Sequence, residues 1–577
     1  MGNNKKIEEL RSSLLISIYS AIVGIVAGIG AVLFRYLIGF FHNLFFFGKL
    51  SFIYDSNKHF SSPFGLWVIL IVTVGMFIMG YIIEKYAPET KGHGVPEVID
   101  AVLTNGGRIR QIVALVKTVA TAIGIGAGES AGREGPIVQI GASFGSTLGQ
   151  LLNLNSRDTI LLLAAGSAGG IAATFNAPIA GVLFAVELIL PEFSSKNFIP
   201  LVISSTIATS IARIFLGAEP TFIVSSYKLV SPFEYSLYFL LGIIAGLIAI
   251  LFIYTLAYME KTFDKVKLPK YTGTVIGGLS VGILGYLMFK FTGHYYIFGV
   301  GYSFISDILT GKHIYLIVLI ILVFAKIFAT SISLGSGGSG GILAPSLFVG
   351  AATGGAFGLI VHYFFPAVTA PPAAYALIGM ASVTAGTTGA TLTTIVLAYE
   401  LTRAYTVILP LMLGAVTSSF IVTFLYGYTM YTEPLWRKRK IIFHGRRYLD
   451  LLSMIFVKDA MISDGIGAVS VNMPAKIVKD FLKKYKITKL IVLNENREPI
   501  GLIRGVDIVD DNKLVKDYYI PMDNKVSEYN TLLYAMYKMR DTKTDVLAVV
   551  GEDGKIVGVL PARLLREAYL SRRGDLI

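Results

Sequence analysis

The chain has 577 residues, of which 54% are hydrophobic and 15% charged, with a mean hydropathy of +0.67. That texture excludes a soluble protein of this length and places most of the chain in a bilayer. With no cysteine there are no disulfides and no thiolate metal centres, and the formal charge of +13 comes from basic clusters beside the ends of apolar runs, without interleaved aromatics, which argues against a nucleic-acid partner.

In chain order, Lys5, Lys6 and Arg11 precede a first apolar run over residues 14–41. The run lacks an A-x-A-like cleavage site, and MGNNKK has Lys6 where a myristoylation signal needs Ser or Thr, so neither a cleaved leader nor an acyl anchor is expected. Runs at 66–83 and 114–125 follow, then apolar sequence almost without pause to Tyr426. Several stretches reach the roughly 20 apolar residues of a membrane helix. Others are short and broken by Gly or Pro, as in transporters built from interrupted helices. RKRK at 437–440 with Arg446 and Arg447 closes the apolar part, and the preference of Lys and Arg for the inner face predicts that both ends of the membrane part are cytoplasmic.

Three regions are expected: a membrane domain at 1–435, a basic linker at 436–455 and a soluble tail at 456–577. The tail repeats itself. KLIVLNENREPIGLIRGVD at 489–507 and DVLAVVGEDGKIVGVLPARL at 545–564 each read as strand, polar turn and strand, and each follows an amphipathic helix, at 475–485 and 532–540. Two α+β modules, about 456–510 and 514–570, resemble a pair of CBS domains.

The membrane part repeats as well. GAGESAGREGPIVQIGASFG from Gly126 lies over GSGGSGGILAPSLFVGAATG from Gly335, matching Gly128 with Gly337, Ser130 with Ser339, Gly132 with Gly341 and Pro136 with Pro345. Lys117 then pairs with Lys326, and APIAGVLFAVEL at 177–188 falls on ATLTTIVLAYEL at 390–401, bringing Glu187 onto Glu400. Two halves with a Gly-rich break at the same place predict an all-α polytopic fold of inverted repeats around a midplane site, followed by the soluble α+β pair.

Both Gly-rich stretches fit a loose dinucleotide fingerprint, but neither has the βαβ context or the following acidic residue. There is no H-E-x-x-H and no Ser-His or paired-Asp arrangement within the spans, so bond chemistry is not expected and the protein reads as a non-enzyme. A divalent-cation transporter would bring carboxylates together as ligands, and a pure nucleotide sensor would not need repeated broken helices; no metal site is expected. A Gly-rich break instead frees backbone amides and exposes the positive end of the next helix, which suits an anion.

Three motifs now carry a resemblance to the CLC family of chloride channels and chloride/proton exchangers over roughly residues 15–435: GREGP at 132–136, GHGVP at 92–96 and GILAP at 341–345. The resemblance implies a homodimer with one anion pathway per copy and chloride, or another small anion, held near the midplane by helix N-termini. It makes Glu134 the gating carboxylate, with His93, Gly94, Arg133, Gly135, Gly341, Ile342, Leu343 and Tyr431 around the anion. Alternatives stand beside these roles: Arg133 and Glu134 as a mutually neutralising pair, the glycines as a helix-packing seam, Tyr431 as an interfacial aromatic beside Tyr426 and Tyr428. Lys117 and Lys326 serve either to raise the local potential or as structural pairs, and Glu187 and Glu400 read as structural carboxylates that cap or bridge helices.

The chain departs from the family pattern at three places. His93 stands where many members have serine, so an imidazole either meets the anion or points away. Leu343 replaces a phenylalanine, and Leu188 occupies the position that proton-coupled members fill with a second carboxylate, directly after Glu187. Leucine carries no proton, which ranks passive chloride conduction gated by Glu134 above chloride/proton exchange by another route. In the tail, the nucleotide-binding pattern is incomplete. The first module keeps Asp507 but has Arg504 at the hydroxyl position, the second has Pro561 and Leu564, and weak or absent adenine-nucleotide binding is expected.

Overall fold

The computed structural model describes the whole chain except residues 1, 192–194, 225–228, 266–270, 313, 440–451, 453–454, 464–466, 486–487 and 575–577. The chain forms two compact units, one of residues 1–99, 109–154 and 158–443, the other of 100–108, 155–157 and 444–577. Most of the linker expected at 436–455, with Arg446 and Arg447, lies outside the described residues.

The first unit is helical and carries its repeat in the order of its elements. Its first half contains α1 (Gly2–Phe47), α2 (Val68–Tyr86), α3 (Val95–Asn105), α4 (Ile112–Gly126), α5 (Glu134–Leu151), α6 (Ser156–Phe175), α7 (Pro178–Phe184) and α8 (Ser195–Leu216). The second half follows with α9 (Glu234–Lys265), α10 (Thr272–Thr292), α11 (Tyr302–Leu309), α12 (Leu316–Gly335), α13 (Leu343–Phe364), α14 (Pro372–Thr388), α15 (Thr391–Thr402) and α16 (Ile408–Leu425), and α17 (Glu433–Arg439) closes the unit. Among the described residues nine helices are long and apolar enough to cross a membrane. The outer helices pair alike, α1 on α8 and α9 on α16. The inner helices touch through glycine: a Cβ on Gly141 of α5 would stand 2.1 Å from the carbonyl oxygen of Gly166 in α6, and one on the matched Gly350 of α13 would stand 2.4 Å from that of Gly379 in α14. Small residues bring these backbones together, because lipid chains compete with side chains for apolar contact and only close packing favours association. Every residue of α14 from 373 to 388 is buried, as suits a helix apolar or small on all faces.

The halves run opposite ways where they meet. Gly132 and Gly341 form an antiparallel bridge. Helices α7 and α15 lie side by side and cap each other: Glu187, just past α7, accepts from the amides of Leu392 (3.2 Å) and Thr393 (2.9 Å) and the Thr393 hydroxyl (2.8 Å), and Glu400 of α15 accepts from the amides of Ile179 (3.1 Å) and Ala180 (2.8 Å). A carboxylate from the C-terminal end of each helix on the N-terminus of the other requires antiparallel neighbours. The structural role read for Glu187 and Glu400 is the one they fill.

In the second unit, β1 (Ala468–Ser470), α18 (Ala475–Tyr485), β2 (Lys489–Leu493), β3 (Pro499–Arg504) and β4 (Ile520–Pro521) are followed by β5 (Lys525–Ser527), α19 (Leu532–Thr542), β6 (Val546–Val550), β7 (Ile556–Pro561) and α20 (Ala562–Gly574). The sheets are ordered β1-β2-β3-β4 and β5-β6-β7. β1 is parallel to β2 and β5 to β6, while β2–β3 and β6–β7 are antiparallel hairpins. KLIVL and VLAVV read as unbroken apolar runs because both faces are covered. Val478 and Leu482 of α18 pack on Leu490, Val492 and Ile503, while Ile491 and Leu502 meet Ala548, Ile556 and Val559 of the second module. Helix α18 has the predicted bounds, and α19 runs two residues further than expected, to a left-handed cap at Lys543.

Candidate functional site

Each half of the membrane unit breaks a helix at the same point. α4 ends at Gly126 and α5 starts at Glu134; α12 ends at Gly335 and α13 starts at Leu343. Gly128 and the matched Gly337 take φ of 104° and 111°, a region that residues with a Cβ rarely enter, so glycine at these two turns is a backbone requirement. The two breaks are then tied together. Gly132 donates to the Gly341 carbonyl at 2.7 Å and Gly341 to the Gly132 carbonyl at 2.5 Å. A third segment joins them: Gly92 donates to the Gly338 carbonyl at 3.0 Å, and Gly340 to the Gly92 carbonyl at 3.3 Å.

Glu134 sits at this junction, 1% exposed. Its Oε2 accepts from the Ala344 amide at 3.3 Å, in the first turn of α13, and its Oε1 accepts from the Tyr302 hydroxyl at 3.2 Å. The carboxylate therefore occupies a helix N-terminus, where free amides and the helix dipole favour negative charge. Among the described residues no ion pair joins it to Arg133. That guanidinium lies 5.3 Å from the ring centre of Tyr302 and lines a cavity of about 220 Å³ with Arg35, Asp55 and Arg213.

The other expected residues divide into those around the carboxylate and those engaged elsewhere. Ile342 caps α13 and Leu343 begins it, both buried, and the amide that meets the carboxylate belongs to Ala344, one position further on. Gly135 allows close approach, since a Cβ there would stand 1.8 Å from the His93 carbonyl oxygen and 3.0 Å from the Gly341 Cα. The Gly341 amide is engaged with Gly132, and the Gly94 amide donates to Glu97 Oε2 at 2.8 Å. The imidazole of His93, 3% exposed, places Nε2 3.1 Å from Glu260 Oε1. Tyr431 is buried, whereas Tyr426 and Tyr428 are half-buried, so it does not belong to an interfacial belt. Leu188 is half-buried within the π-helical turn Ala185–Ile189.

Lys117 and Lys326 do the same work in the two halves. Lys117 Nζ donates to the carbonyls of Thr90 (2.8 Å) and Gly92 (3.0 Å), and Lys326 Nζ to those of Ile297 (2.9 Å) and Gly299 (2.8 Å). Each buried ammonium fixes the segment that leads into a short helix, α3 or α11, and so into His93 or Tyr302. Three participants escaped the sequence reading: Tyr302, Glu260 and Ala344. The Gly-Tyr of 301–302 is a signal for the first, since the repeat offset that carries Gly126 to Gly335 places it over Gly92 and His93; the other two carry none. The carboxylate of Glu129 packs into space left by Gly124 and Gly338, where a Cβ on either would come within 2.3 Å of it.

In the tail, the two residues considered for nucleotide bind one another. Arg504 Nε lies 2.7 Å from Asp507 Oδ2, and its NH2 group 2.8 Å from Oδ1. This bidentate pair raises the guanidinium above its ordinary pKa and occupies both carboxylate oxygens that a ribose would need.

A buried carboxylate on the N-terminus of a broken helix, where two inverted halves meet in a multi-pass bundle, defines a membrane anion-transport protein of the inverted-repeat class. The chain belongs to the CLC family: the family model described as voltage gated chloride channel matches residues 75–423, and the CBS domain model matches 515–571. The module at 468–504 has the same strand and helix order as that matched one. The chain is 34% identical over 388 residues to the H(+)/Cl(−) exchange transporter ClcA of Vibrio cholerae, covering 66% of this chain and 81% of that one. It is 35% identical over 377 residues to the chloride channel protein CLC-f of Arabidopsis thaliana, covering 60% and 46%. Among solved structures it resembles a slow cyanobacterial Cl−/H+ antiporter (TM-score 0.65, 26% identity, 73% of this chain and 97% of that). The fold of a eukaryotic CLC transporter matches over 96% of this chain and 98% of that, with TM-score 0.63 at 19% identity.

Proposed function

We propose that the chain carries chloride across the membrane by passive conduction and that Glu134 is its gate. The observation that carries this reading is the Glu134 carboxylate on the N-terminus of α13, in the place and with the charge of an anion. Protonation or displacement of the carboxylate vacates the Ala344 amide and the Tyr302 hydroxyl for chloride. Arg133, Arg35 and Arg213 draw anions into the neighbouring cavity, and Tyr431 borders the pathway on its other side. The chain acts as a homodimer with one pathway per copy, in the cell membrane with both termini cytoplasmic, and is not an enzyme. Its tail is regulatory and dimer-forming, without an adenine nucleotide.

Glu134→Ala tests the gate. In liposomes it leaves chloride efflux running while removing the pH dependence of the wild type; abolished efflux, or an unaltered pH response, counts against the assignment. Leu188 favours conduction over exchange, since no proton binds there. The second reading, chloride/proton exchange, is favoured by the His93–Glu260 contact, which offers a titratable pair elsewhere. A chloride gradient imposed on proteoliposomes, with a pH electrode in the surrounding solution, separates the two. Protons driven uphill in fixed ratio to chloride establish exchange, and protons left at equilibrium establish conduction.

A further inference from the structure

The cavity that Arg133 lines has a volume of about 220 Å³, and its wall sets Arg35, Arg133 and Arg213 against Asp55 and Glu219. At the roughly 30 Å³ that a water molecule takes up in the liquid, this is room for about seven waters, more than one chloride ion fills. The guanidiniums come from separate parts of the chain: Arg35 from α1, Arg133 from the break before α5 and Arg213 from α8. Three cations brought together by folding repel one another unless something negative stands between them.

The protein supplies little of that charge. Arg213 Nε donates to Asn176 Oδ1 at 2.6 Å. Arg133 is 6% exposed, and its Nε is buried without a hydrogen-bond partner. Among the described residues no ion pair joins Arg35 or Arg133 to either acid of the wall: Asp55 Oδ1 accepts from the Asn57 amide at 3.0 Å, Asp55 Oδ2 lies 3.9 Å from Lys58, and Glu219 is exposed. Two guanidiniums thus keep unused N–H groups beside one cavity. A guanidinium offers its N–H groups in parallel pairs, which the two oxygens of a planar anion accept together and a spherical halide cannot. Three cations against two carboxylates leave one positive charge, which a monovalent anion balances.

We propose that this cavity binds a small monovalent oxyanion of the carboxylate type, bicarbonate or a short carboxylate such as acetate, on the forks of Arg35 and Arg133, and that its occupation slows chloride entry. Arg133 directly precedes Glu134. Its guanidinium lies 5.3 Å from the ring centre of Tyr302, whose hydroxyl donates to Glu134 Oε1 at 3.2 Å. An oxyanion held there cancels the positive charge that draws chloride towards this end of the pathway. The effect on flux rests on chloride passing Glu134; the binding does not.

The test is isothermal titration calorimetry on the full chain in detergent and chloride-free buffer, with bicarbonate, acetate and sulfate titrated in turn at constant pH. Bicarbonate or acetate binds, the tighter of the two naming the source, and divalent sulfate binds more weakly than that one. Arg35→Lys and Arg133→Lys keep the charge and lose the fork, so each weakens the binding by about tenfold or more; their unfolding temperatures show that they fold. Chloride efflux from proteoliposomes is then recorded with and without the anion that binds, each protein against its own rate in its absence. The anion slows wild-type efflux, and the lysine variants need about tenfold more of it for the same slowing. No heat from bicarbonate or acetate, tighter binding of sulfate, or wild-type affinity in both lysine variants overturns the site. Binding that leaves wild-type efflux unslowed overturns its control of entry. Efflux through Glu134→Ala that keeps the wild-type pH response overturns the gate instead and leaves the calorimetric result standing.

Discussion

GAGESAGREGP at 126–136 and GSGGSGGILAP at 335–345 take the chain through the same turn, yet only the first carries charge. Both have a left-handed glycine at the matched place, both start a helix eight residues after the preceding one ends, and each lends its carbonyl to the other's amide. What differs is the side chain at the start of the new helix. The second half leaves the N-terminus of α13 open, and the first half supplies Glu134 to fill it. The scaffold is thus made twice and the chemistry once. An inverted repeat gives two facing helix ends, and an asymmetric substitution places a carboxylate from one on the N-terminus of the other.

The most disruptive way to break that comparison is to add a Cβ where the halves touch. Gly135→Ala would drive a methyl into the His93 carbonyl at 1.8 Å, while Gly341→Ala would meet the Gly135 nitrogen at 2.6 Å and Glu134 Oε2 at 3.0 Å. Backbone cannot yield as a side chain does, so Gly135→Ala should lose about 3 kcal/mol and chloride flux with it. Gly341→Ala should lose less stability but as much flux. Thermal unfolding in detergent and liposome efflux check the order, and equal stabilities would show that the close approach is not shared as described.

Next come the matched lysines. Lys326→Met leaves the buried Ile297 and Gly299 carbonyls without the lysine donor, at a cost of about 2–3 kcal/mol, whereas Lys117→Met should cost less, since the Thr90 carbonyl keeps the Ser339 hydroxyl and the Gly92 carbonyl keeps the Gly340 amide. Because Lys326 supports the approach to Tyr302, its variant should also weaken the hold on Glu134 and raise flux at neutral pH. Lys117→Met should disturb the His93 side instead. If both variants change flux in the same direction, the lysines act through the electrostatic potential and not through the loops they fix.

Reciprocal capping predicts a smaller and nearly symmetric effect. Glu187→Gln and Glu400→Gln should each lower stability by about 1 kcal/mol, with Glu187→Gln the more costly since that carboxylate accepts three hydrogen bonds against two for Glu400. Unfolding curves in detergent measure this. A loss of proton-dependent flux in Glu187→Gln with stability unchanged would make Glu187 a proton carrier.

The smallest effect is expected in the tail, where the two modules also differ by side chains on a shared scaffold. Wild-type chain should show no micromolar affinity for ATP by calorimetry, and Arg504→Thr, which frees Asp507 and returns a hydroxyl to the pattern, should gain weak binding on the order of 1 mM. Micromolar binding by the wild type would mean that the Arg504–Asp507 pair opens for the ligand.

The sequence by itself determined the membrane class, the repeat with its two matched Gly-rich breaks and the tail's duplicated module. These follow from composition, periodicity and self-similarity, all of which are local or can be found by sliding the chain along itself. The capping role of Glu187 and Glu400 was legible for the same reason, as matched carboxylates near matched helix ends. The Arg504–Asp507 pair, three residues apart at the end of a strand, was within reach of the same reading. Only the tertiary structure decided which groups hold Glu134 and His93: Tyr302 and Ala344 lie 168 and 210 residues from Glu134, and Glu260 lies 167 from His93. A tyrosine after a glycine or a glutamate near the end of a long helix has no local pattern that names its partner. Buried polar groups must find hydrogen bonds wherever folding brings a neighbour, and here inversion of the repeat, which no single stretch of sequence encodes, sets the neighbours.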